Sequence, residues 1–187
     1  MTEPHEPTDA QAPPEIDFVL RAAVLEIEAH ASEAGWDEPA RLYALVTTSD
    51  LVVREPQLAA AMGLDEATAA GSLTPVEQDT LPADRPLEDV LGEILWPAEV
   101  FGCAAVVERV MLPPAAEEGM PDDPGEALRV AAEHPDREEV RIVAGATRAG
   151  STYCALRLRT HDDPQSVVEG PDVVPALLEL VRSTLEQ

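Results

Sequence analysis

Apolar residues recur every three or four positions in three parts of the chain, which is the spacing of a helix with one buried face. These stripes lie at residues 16–34, 87–95 and 174–185. Gly35 follows the first stripe as a residue type that commonly ends helices, and Pro97 stops the second. Asp172 is the predicted N-cap of the third, which places Pro175 in the first turn, where its missing N–H costs nothing.

Two shorter helices are predicted from their end signals. One covers EPQLAAAMG (residues 55–63), with Pro56 near its first turn and Gly63 at its end. The other runs to residue 134, with Asp123 as N-cap and Pro124 as its first residue. The stretch from residue 64 to 84 shows neither period and is predicted to be a loop.

Other segments predict strands. RLYALVTT (residues 41–48) is apolar at both odd and even positions, as expected of a strand covered on both faces. EVFGCAAVVERVMLPP (residues 99–114) is uniformly apolar, rich in valine and stopped by two prolines, so it predicts a central strand. Within it, Glu108 and Arg109 lie near the strand end, where polar residues usually pair across a sheet.

EEVRIVAGATRAGSTYCALRLR (residues 138–159) predicts a hairpin, because two alternating runs flank a glycine-containing turn. A two-residue turn would mix charged and apolar side chains on each face, so we expect a loop of three or five residues. The expected pairs are Ile142 with Leu158, Ala144 with Leu156, Ala146 with Cys154, Arg141 with Arg159, Val143 with Arg157 and Thr147 with Tyr153.

The order of these elements predicts an α+β fold. We expect a mixed or antiparallel sheet of about four strands, packed by the N- and C-terminal helices, in a single domain over residues 15–187. Residues 1–14 are acidic and rich in proline, and they show no apolar period. We expect them to form a disordered tail, because they cannot bury enough surface to offset the entropy of ordering.

The net charge of the chain limits the classes of molecule that it is expected to bind. The net charge is -25, and all 12 basic residues are arginine. Such a field repels phosphate backbones and anionic lipid, so nucleic acid and membranes are not expected partners. The chain has no apolar run long enough to cross a bilayer, and its acidic beginning is the reverse of a signal peptide. We therefore expect a cytoplasmic protein.

The sequence predicts no catalytic residue, metal site or cofactor. The only cysteines, Cys103 and Cys154, lie in predicted strands, where a free thiol usually serves as a small apolar side chain. No histidines have the short spacing of a zinc site, and the acidic THDDP and PDDP segments suit turns and helix caps better than a calcium loop. Glycine-rich phosphate loops and a serine-hydrolase elbow are also missing.

Three arginines form the candidate binding site. In the expected hairpin, Arg141, Arg157 and Arg159 share one face of the sheet, and guanidinium groups suit carboxylate or phosphate ligands. The structural alternative is that they pair with Glu108, Glu138, Glu139 or an acidic helix covering the sheet.

Several segments carry a family resemblance: GWDEPARLYALVTT, LTPVEQDTLP, WPAEVFGCAAVVERVMLPP, HPDREEVRIVAGATR and GPDVVPALLELV. Together they resemble a family of small acidic actinobacterial proteins of unknown function, over residues 16–185. The resemblance implies a lone, full-length cytoplasmic domain and supplies no catalytic or binding residues.

Two functions follow as hypotheses. The first is a non-enzymatic acidic adapter or chaperone-like module that binds a protein partner or a second copy of itself as a homodimer. It predicts an exposed apolar face or groove. The second is a small-molecule or anion-binding protein, or an enzyme, that uses the arginine face. It predicts a concave pocket containing those arginines.

Overall fold

The computed structural model describes residues 16–78, 81–82, 85, 87–117 and 119–186, so the expected tail at residues 1–14 lies outside it. The helices and strands, in chain order, are α1 (Phe18–Ala34), β1 (Arg41–Thr47), α2 (Thr48–Arg54), α3 (Pro56–Ala61), α4 (Glu66–Ala69), β2 (Leu73–Glu77), α5 (Leu87–Gly92), β3 (Gly102–Met111), α6 (Pro114–Glu117), α7 (Pro124–Glu133), β4 (Glu138–Thr147), β5 (Thr152–Leu158), β6 (Val168–Gly170) and α8 (Pro175–Ser183).

The strands form one antiparallel sheet in the order β2-β1-β3-β4-β5-β6. The α+β class and the central position of β3 are confirmed, but the expected number of about four strands is too low. Both additional strands lie at the edges of the sheet. Strand β2 was hidden by Pro75, which edge strands tolerate, and β6 spans only three residues.

Helices cover both faces of this sheet, because successive side chains of each strand point to opposite sides. Helix α1 packs against side chains that include Tyr43, Val143 and Ala155. Helices α5 and α8 pack on the other face, where Cys103, Ile142 and other alternate residues lie. The expected covering by the N- and C-terminal helices is therefore confirmed.

Helix α1 lies close against strand β4, and Gly145 permits the approach. A Cβ atom at this position would lie 2.7 Å from Cγ2 of Val24 and 3.2 Å from Cδ1 of Leu20. Both side chains are fully buried. A larger residue at position 145 would therefore push α1 away from the sheet.

The helix ends follow the sequence signals with two exceptions. Gly35 ends α1 with a positive φ of 93°, and the Asp123 carboxylate caps α7 by accepting from the N–H of Glu126. The expected N-cap at Asp172 is wrong, because α8 begins at Pro175 with Val174 as its cap. Helix α5 ends at Gly92 and not at residue 95, so the last part of that apolar stripe is a loop.

The predicted loop over residues 64–84 contains α4 and β2, and this prediction is wrong for those residues. Helix α2 was also missed, because it follows β1 without a break. Thr47 marks the change from strand to helix, since its hydroxyl accepts from the N–H of Asp50 and donates to that residue's carboxylate.

The hairpin has the expected odd-length turn and shared faces, but the expected pairs are wrong by two residues. The observed register pairs Val140 with Leu158, Arg141 with Arg157, Ile142 with Leu156, Val143 with Ala155, Ala144 with Cys154, Gly145 with Tyr153 and Ala146 with Thr152. A shift of two residues keeps each side chain on its face. Alternation of apolar and polar residues therefore determined the faces and left the register open.

Candidate functional site

The predicted arginines lie together on the α1 face of the sheet, at its end near Gly35. Arg141 on β4 is directly opposite Glu108 on β3 and Arg157 on β5. Arg159 begins the 3-10 turn that follows β5. We call these three arginines and their carboxylate partners the arginine network.

Arg157 is buried against α1. Its Nε and Nη2 donate to the two carboxylate oxygens of Glu28 at 2.6 and 2.8 Å, and its Nη1 donates to Asp162 at 3.3 Å. Hydrogen bonding to Glu28 is the main cause that raises the pKa of Arg157. A two-pronged pair of this kind fixes the rotation of α1 over the sheet.

Arg141 is buried at the same end of α1. Its Nη2 donates to the carbonyl oxygen of Gly35 and, at 3.1 Å, to Glu108, while its guanidinium carbon lies 4.3 Å from the ring centre of Trp36. Its Nη1 is buried and has no hydrogen-bond partner among the described residues. The adjoining cavity of about 10 Å³ is large enough for a single water molecule and no larger ligand.

Arg159 lies at the edge of the network. It donates to both carboxylate oxygens of Asp37 at 2.9 and 2.8 Å and also pairs with Glu139. The hydrogen bonds to Asp37 and Glu139 raise the pKa of Arg159, and Arg159 in turn lowers the pKa of Asp37. The Trp36 ring therefore lies near two cations, with the Arg159 guanidinium 5.6 Å from its centre.

The carboxylates that surround these arginines outnumber them. They are Glu28, Asp37, Glu108, Glu139 and Asp162. An external anion would have to displace one of them from its guanidinium group and enter a net negative environment. The partners on β3, β4 and α1 are those expected if the arginines stabilise the fold, so we do not assign a ligand to this network.

The cysteines have the environment of packing residues. Burial raises the pKa of Cys103 to about 11 and that of Cys154 to about 12. Cys103 lies on the α8 face, with its sulfur 3.3 Å from the hydroxyl oxygen of Thr184. A thiol with such a pKa is protonated at neutral pH and is a poor nucleophile.

The loop between α5 and β3 is held in place by Arg148, which lies in the hairpin turn. Its guanidinium donates to the carbonyl oxygens of Trp96, Pro97 and Val100 at 3.0–3.2 Å, and also to that of Leu185 beyond α8. The Trp96 indole N–H donates to Thr184 at 2.9 Å. These bonds tie the loop to the C-terminal end of the chain. The sequence interpretation placed Arg148 only in a turn and missed this role.

This loop forms one wall of an open cavity lined mainly by apolar side chains. We call the cavity the β1–β2 groove, and its volume is about 540 Å³. Its floor is the α8-side face of β1 and β2. Its walls come from α2 and α3 on one side and from the loop after α5 on the other. The lining residues are Leu42, Ala44, Val46, Leu51, Leu58, Val76, Gln78, Leu81, Ile94, Leu95, Trp96, Pro97 and Val100.

Apolar side chains make up most of the groove lining. Among the described residues that line it, Gln78 uses its side-chain N–H to bind the carbonyl oxygen of Val76, and the Trp96 indole is bound to Thr184. Leu95 and Leu58 are 72% and 44% exposed. An apolar surface of this kind can hold an apolar ligand, and none of the described lining residues carries a charge that could polarise a bond.

Several acidic residues are sequence neighbours of the lining residues. Asp50 precedes the lining residue Leu51, Glu93 precedes Ile94, and Glu99 precedes Val100. All three carboxylates belong to exposed residues, as does Glu55 between α2 and α3. The nearby Arg54 lies 3.7 Å from Glu99. Glu93 likewise pairs with Arg85 at 2.7 Å, so arginines already neutralise two of these carboxylates.

One sequence feature of this groove, the apolar residue Leu95, was assigned to the buried face of a predicted helix. The apolar stripe at residues 87–95 was expected to face the core throughout its length. The part inside α5 does so, and Ile94 beyond the helix also packs against the core, whereas Leu95 extends into solvent.

The described residues contain no group of three or more His, Cys, Asp or Glu side chains that could hold a metal ion. Over the same residues, no helix has both the length and the apolar character needed to cross a bilayer.

No curated protein and no solved structure matches the chain. A family model described as PPA1309-like protein matches residues 20–186, nearly the whole span of the expected resemblance, and the chain therefore belongs to the PPA1309-like family.

Proposed function

We propose that this protein is a non-enzymatic interaction module, an acidic adapter or chaperone-like protein, that holds an apolar segment of another protein in the β1–β2 groove. The observation that carries the proposal is the exposure of Leu58 and Leu95 at a groove of about 540 Å³. Exposed leucines at a concave site are typical of surfaces that a partner covers.

The residues around the groove favour a binding role over a catalytic role. The wall that contains Leu95 and Trp96 is fixed by Arg148 and Thr184, so the groove is formed before any partner arrives. A preformed site loses less entropy on binding than one that must be ordered. The net charge of -25 keeps a protein with such an apolar surface soluble between encounters.

Affinity capture with matched variants tests the proposal. The baits are the wild-type chain, Leu95→Glu in the groove and Leu128→Glu on α7. Leu95 and Leu128 are 72% and 73% exposed, so both substitutions place the same charge at an equally exposed leucine. Lysate proteins retained at about 1 M salt, where charge-driven contacts are screened, are identified by mass spectrometry.

A protein that the wild type and Leu128→Glu capture, and that Leu95→Glu loses, supports the proposal. Identical protein sets on all three baits would overturn it. Recovery of a lipid or metabolite that only Leu95→Glu loses would also overturn it, because the groove would then hold a small molecule.

A further inference from the structure

Arg109, near the end of β3, pairs with no carboxylate of the described chain. Apart from Arg109 and Arg148, every arginine lies within ion-pair distance of an aspartate or glutamate. Arg148 instead donates to backbone carbonyl oxygens. Arg109 donates from Nη1 to the carbonyl oxygen of its neighbour Glu108 at 3.2 Å. In a chain with a net charge of -25, an arginine without a counter-charge is an exception.

The position of Arg109 in the sheet explains why it is unpaired. Its cross-strand neighbour on β4 is Val140, and β1 pairs with β3 only as far as Val106. The sequence interpretation expected Glu108 and Arg109 both to pair across the sheet. Glu108 does so with Arg141, but Arg109 points to the other face, because side chains alternate along a strand. That face is covered by α5 and α8.

Arg109 lines a cavity of about 220 Å³, which we call the α5 cavity. The end of β3, α5 and the segments that precede β1 and α5 enclose it. Its apolar lining includes Leu81, Leu87 and Val90, which belong to the core and are 9%, 7% and 8% exposed. These side chains offer only their outer edges to a ligand. The cavity can therefore cover a short apolar group but not a long hydrocarbon chain.

The other charged side chains that line the α5 cavity each form an ion pair within the chain at 2.7–3.1 Å. The pairs are Glu38 with Arg41, Glu108 with Arg141, and Arg85 with Glu93. Among the described lining residues, Arg109 therefore carries the one charge that the chain does not match. The net charge opposes an anion at long range, but salt at about 0.15 M screens separated charges over about 8 Å. The groups at the cavity then decide what binds.

The guanidinium group of Arg109 has an edge that suits a carboxylate. Because Nη1 binds the Glu108 carbonyl, Nε and Nη2 are left without a partner among the described residues. Arg157 uses this same edge to bind both carboxylate oxygens of Glu28 at 2.6 and 2.8 Å. A carboxylate carries a single negative charge. A phosphate would bring a second charge towards Glu38 and Glu108, which repel it.

We propose that the α5 cavity binds a small organic carboxylate with a short apolar group, and that Arg109 holds the carboxylate through Nε and Nη2. The apolar group lies against Leu87 and Val90. The site shares Leu81 with the lining of the β1–β2 groove, but it does not depend on the proposed interaction function.

Butyrate is the probe, and butylammonium and inorganic phosphate are the comparison ligands. Two-dimensional NMR spectra of the amide and arginine Nε–Hε groups follow each titration of the full chain at about 0.15 M ionic strength. The test variant is Arg109→Gln. The control is Arg129→Gln on α7, which removes the same charge from a side chain that is 60% exposed.

We expect butyrate to shift the Nε–Hε signal of Arg109 and the amide signals of residues 87–90, with a dissociation constant on the order of 1–10 mM. Arg109→Gln should weaken butyrate binding at least about tenfold, because it removes a charge-assisted pair of hydrogen bonds. Arg129→Gln should leave the affinity unchanged. Butylammonium and phosphate should bind at least about tenfold more weakly than butyrate.

Equal butyrate affinity of the wild type and Arg109→Gln would overturn this inference. Tighter binding of butylammonium or of phosphate would also overturn it, since the cavity would then prefer a cation or a higher anionic charge. Shifts spread over all the exposed arginines, or no shift at Arg109, would show that the cavity does not select butyrate. These results leave the proposed interaction function unaffected, because its test rests on Leu95.

Discussion

The arginine network and the β1–β2 groove lie on opposite faces of the same sheet, and their side chains are satisfied in opposite ways. In the network, Arg141, Arg157 and Arg159 each contact carboxylates of the chain itself. In the groove, Leu58 and Leu95 extend from the walls with 44% and 72% of their surface exposed. Charged residues drew attention in the sequence, but the exposed leucines lie in the apolar region.

The difference follows from the cost of leaving each type of group without a partner. A buried guanidinium needs a carboxylate or carbonyl to offset the loss of water, so a stable fold supplies these partners internally. An exposed leucine can remain in water at a modest cost and recover that free energy when another molecule covers it. Exposed apolar surface is therefore the basis on which the binding site is proposed.

The largest expected effect is on the rate at which the thiol of Cys103, behind the groove wall, is chemically modified. Cys103 lies beside Thr184, whose hydroxyl binds the Trp96 indole, so a reagent reaches the sulfur only when the wall or the whole domain opens. We expect modification of native Cys103 at least about a thousandfold slower than in unfolded protein. Thiol labelling followed by peptide mass spectrometry measures this rate. Rapid labelling would show that the groove wall is mobile and not preformed.

The same thiol contributes a pH dependence. Burial raises the pKa of Cys103 from 9.0 to about 11, so above pH 9 the unfolded chain loses a proton that the folded chain retains. The free energy of unfolding should therefore decrease as the pH rises from about 9 towards 11. Denaturant titrations of the wild type and Cys103→Ala across this range separate this contribution from that of Cys154.

The next prediction tests whether the arginine network stabilises the fold. Glu28→Gln leaves the buried Arg157 with a neutral amide on α1, and we expect the free energy of unfolding to fall by about 3 kcal/mol. Chemical denaturation measures the loss. Glu139→Gln, at the more exposed Arg159, should cost much less. An unchanged midpoint for Glu28→Gln would mean that the network does not stabilise the fold, and would reopen Arg157 as a ligand-binding residue.

A smaller loss is expected from the residue that holds the groove wall. Arg148→Ala removes hydrogen bonds to the carbonyl oxygens of Trp96, Pro97 and Val100, and should lower stability by about 1–2 kcal/mol. Hydrogen exchange should increase in residues 96–101. Arg182→Ala, which removes ion pairs at the surface of α8, is the control and should leave exchange in this loop unchanged.

The smallest effect on stability is expected at the groove itself. Leu95→Glu and Leu128→Glu should each change the free energy of unfolding by no more than about 0.5 kcal/mol, because both leucines are already exposed. Thermal denaturation of the two variants checks this. A large loss for Leu95→Glu alone would show that the groove is part of the core, and the comparison between the two regions would fail.

Local sequence signals correctly predicted the helices and strands for which periodicity, end residues and composition all indicate the same structure. The stripe that ends at Gly35 predicted α1, Asp123 with Pro124 predicted α7, and the valine-rich run predicted β3. The same kind of reasoning missed β2 because Pro75 argues against a strand, although an edge position tolerates it. Edge strands are set by their neighbour in space, and the sequence does not identify that neighbour.

The candidate site shows the same limit. The sequence placed the three arginines on one face, and the structure confirms that they lie together. The sequence could not show that Glu28, more than 100 positions away from Arg157 in the chain, would pair with that guanidinium group. The two-residue error in the hairpin register has a similar origin, because the faces depend on local alternation and the pairs depend on the turn.

The sequence by itself determined the α+β class, the two-sided burial of the central strands and the acidic character of the chain. These properties follow from composition and from periods of two and 3.6 residues, which act over short distances along the chain. Only the tertiary structure decided which charged residues pair and which apolar ones stay uncovered. The packing of α8 over β3–β5 leaves the β1–β2 groove open, and that depends on contacts between segments far apart in the chain.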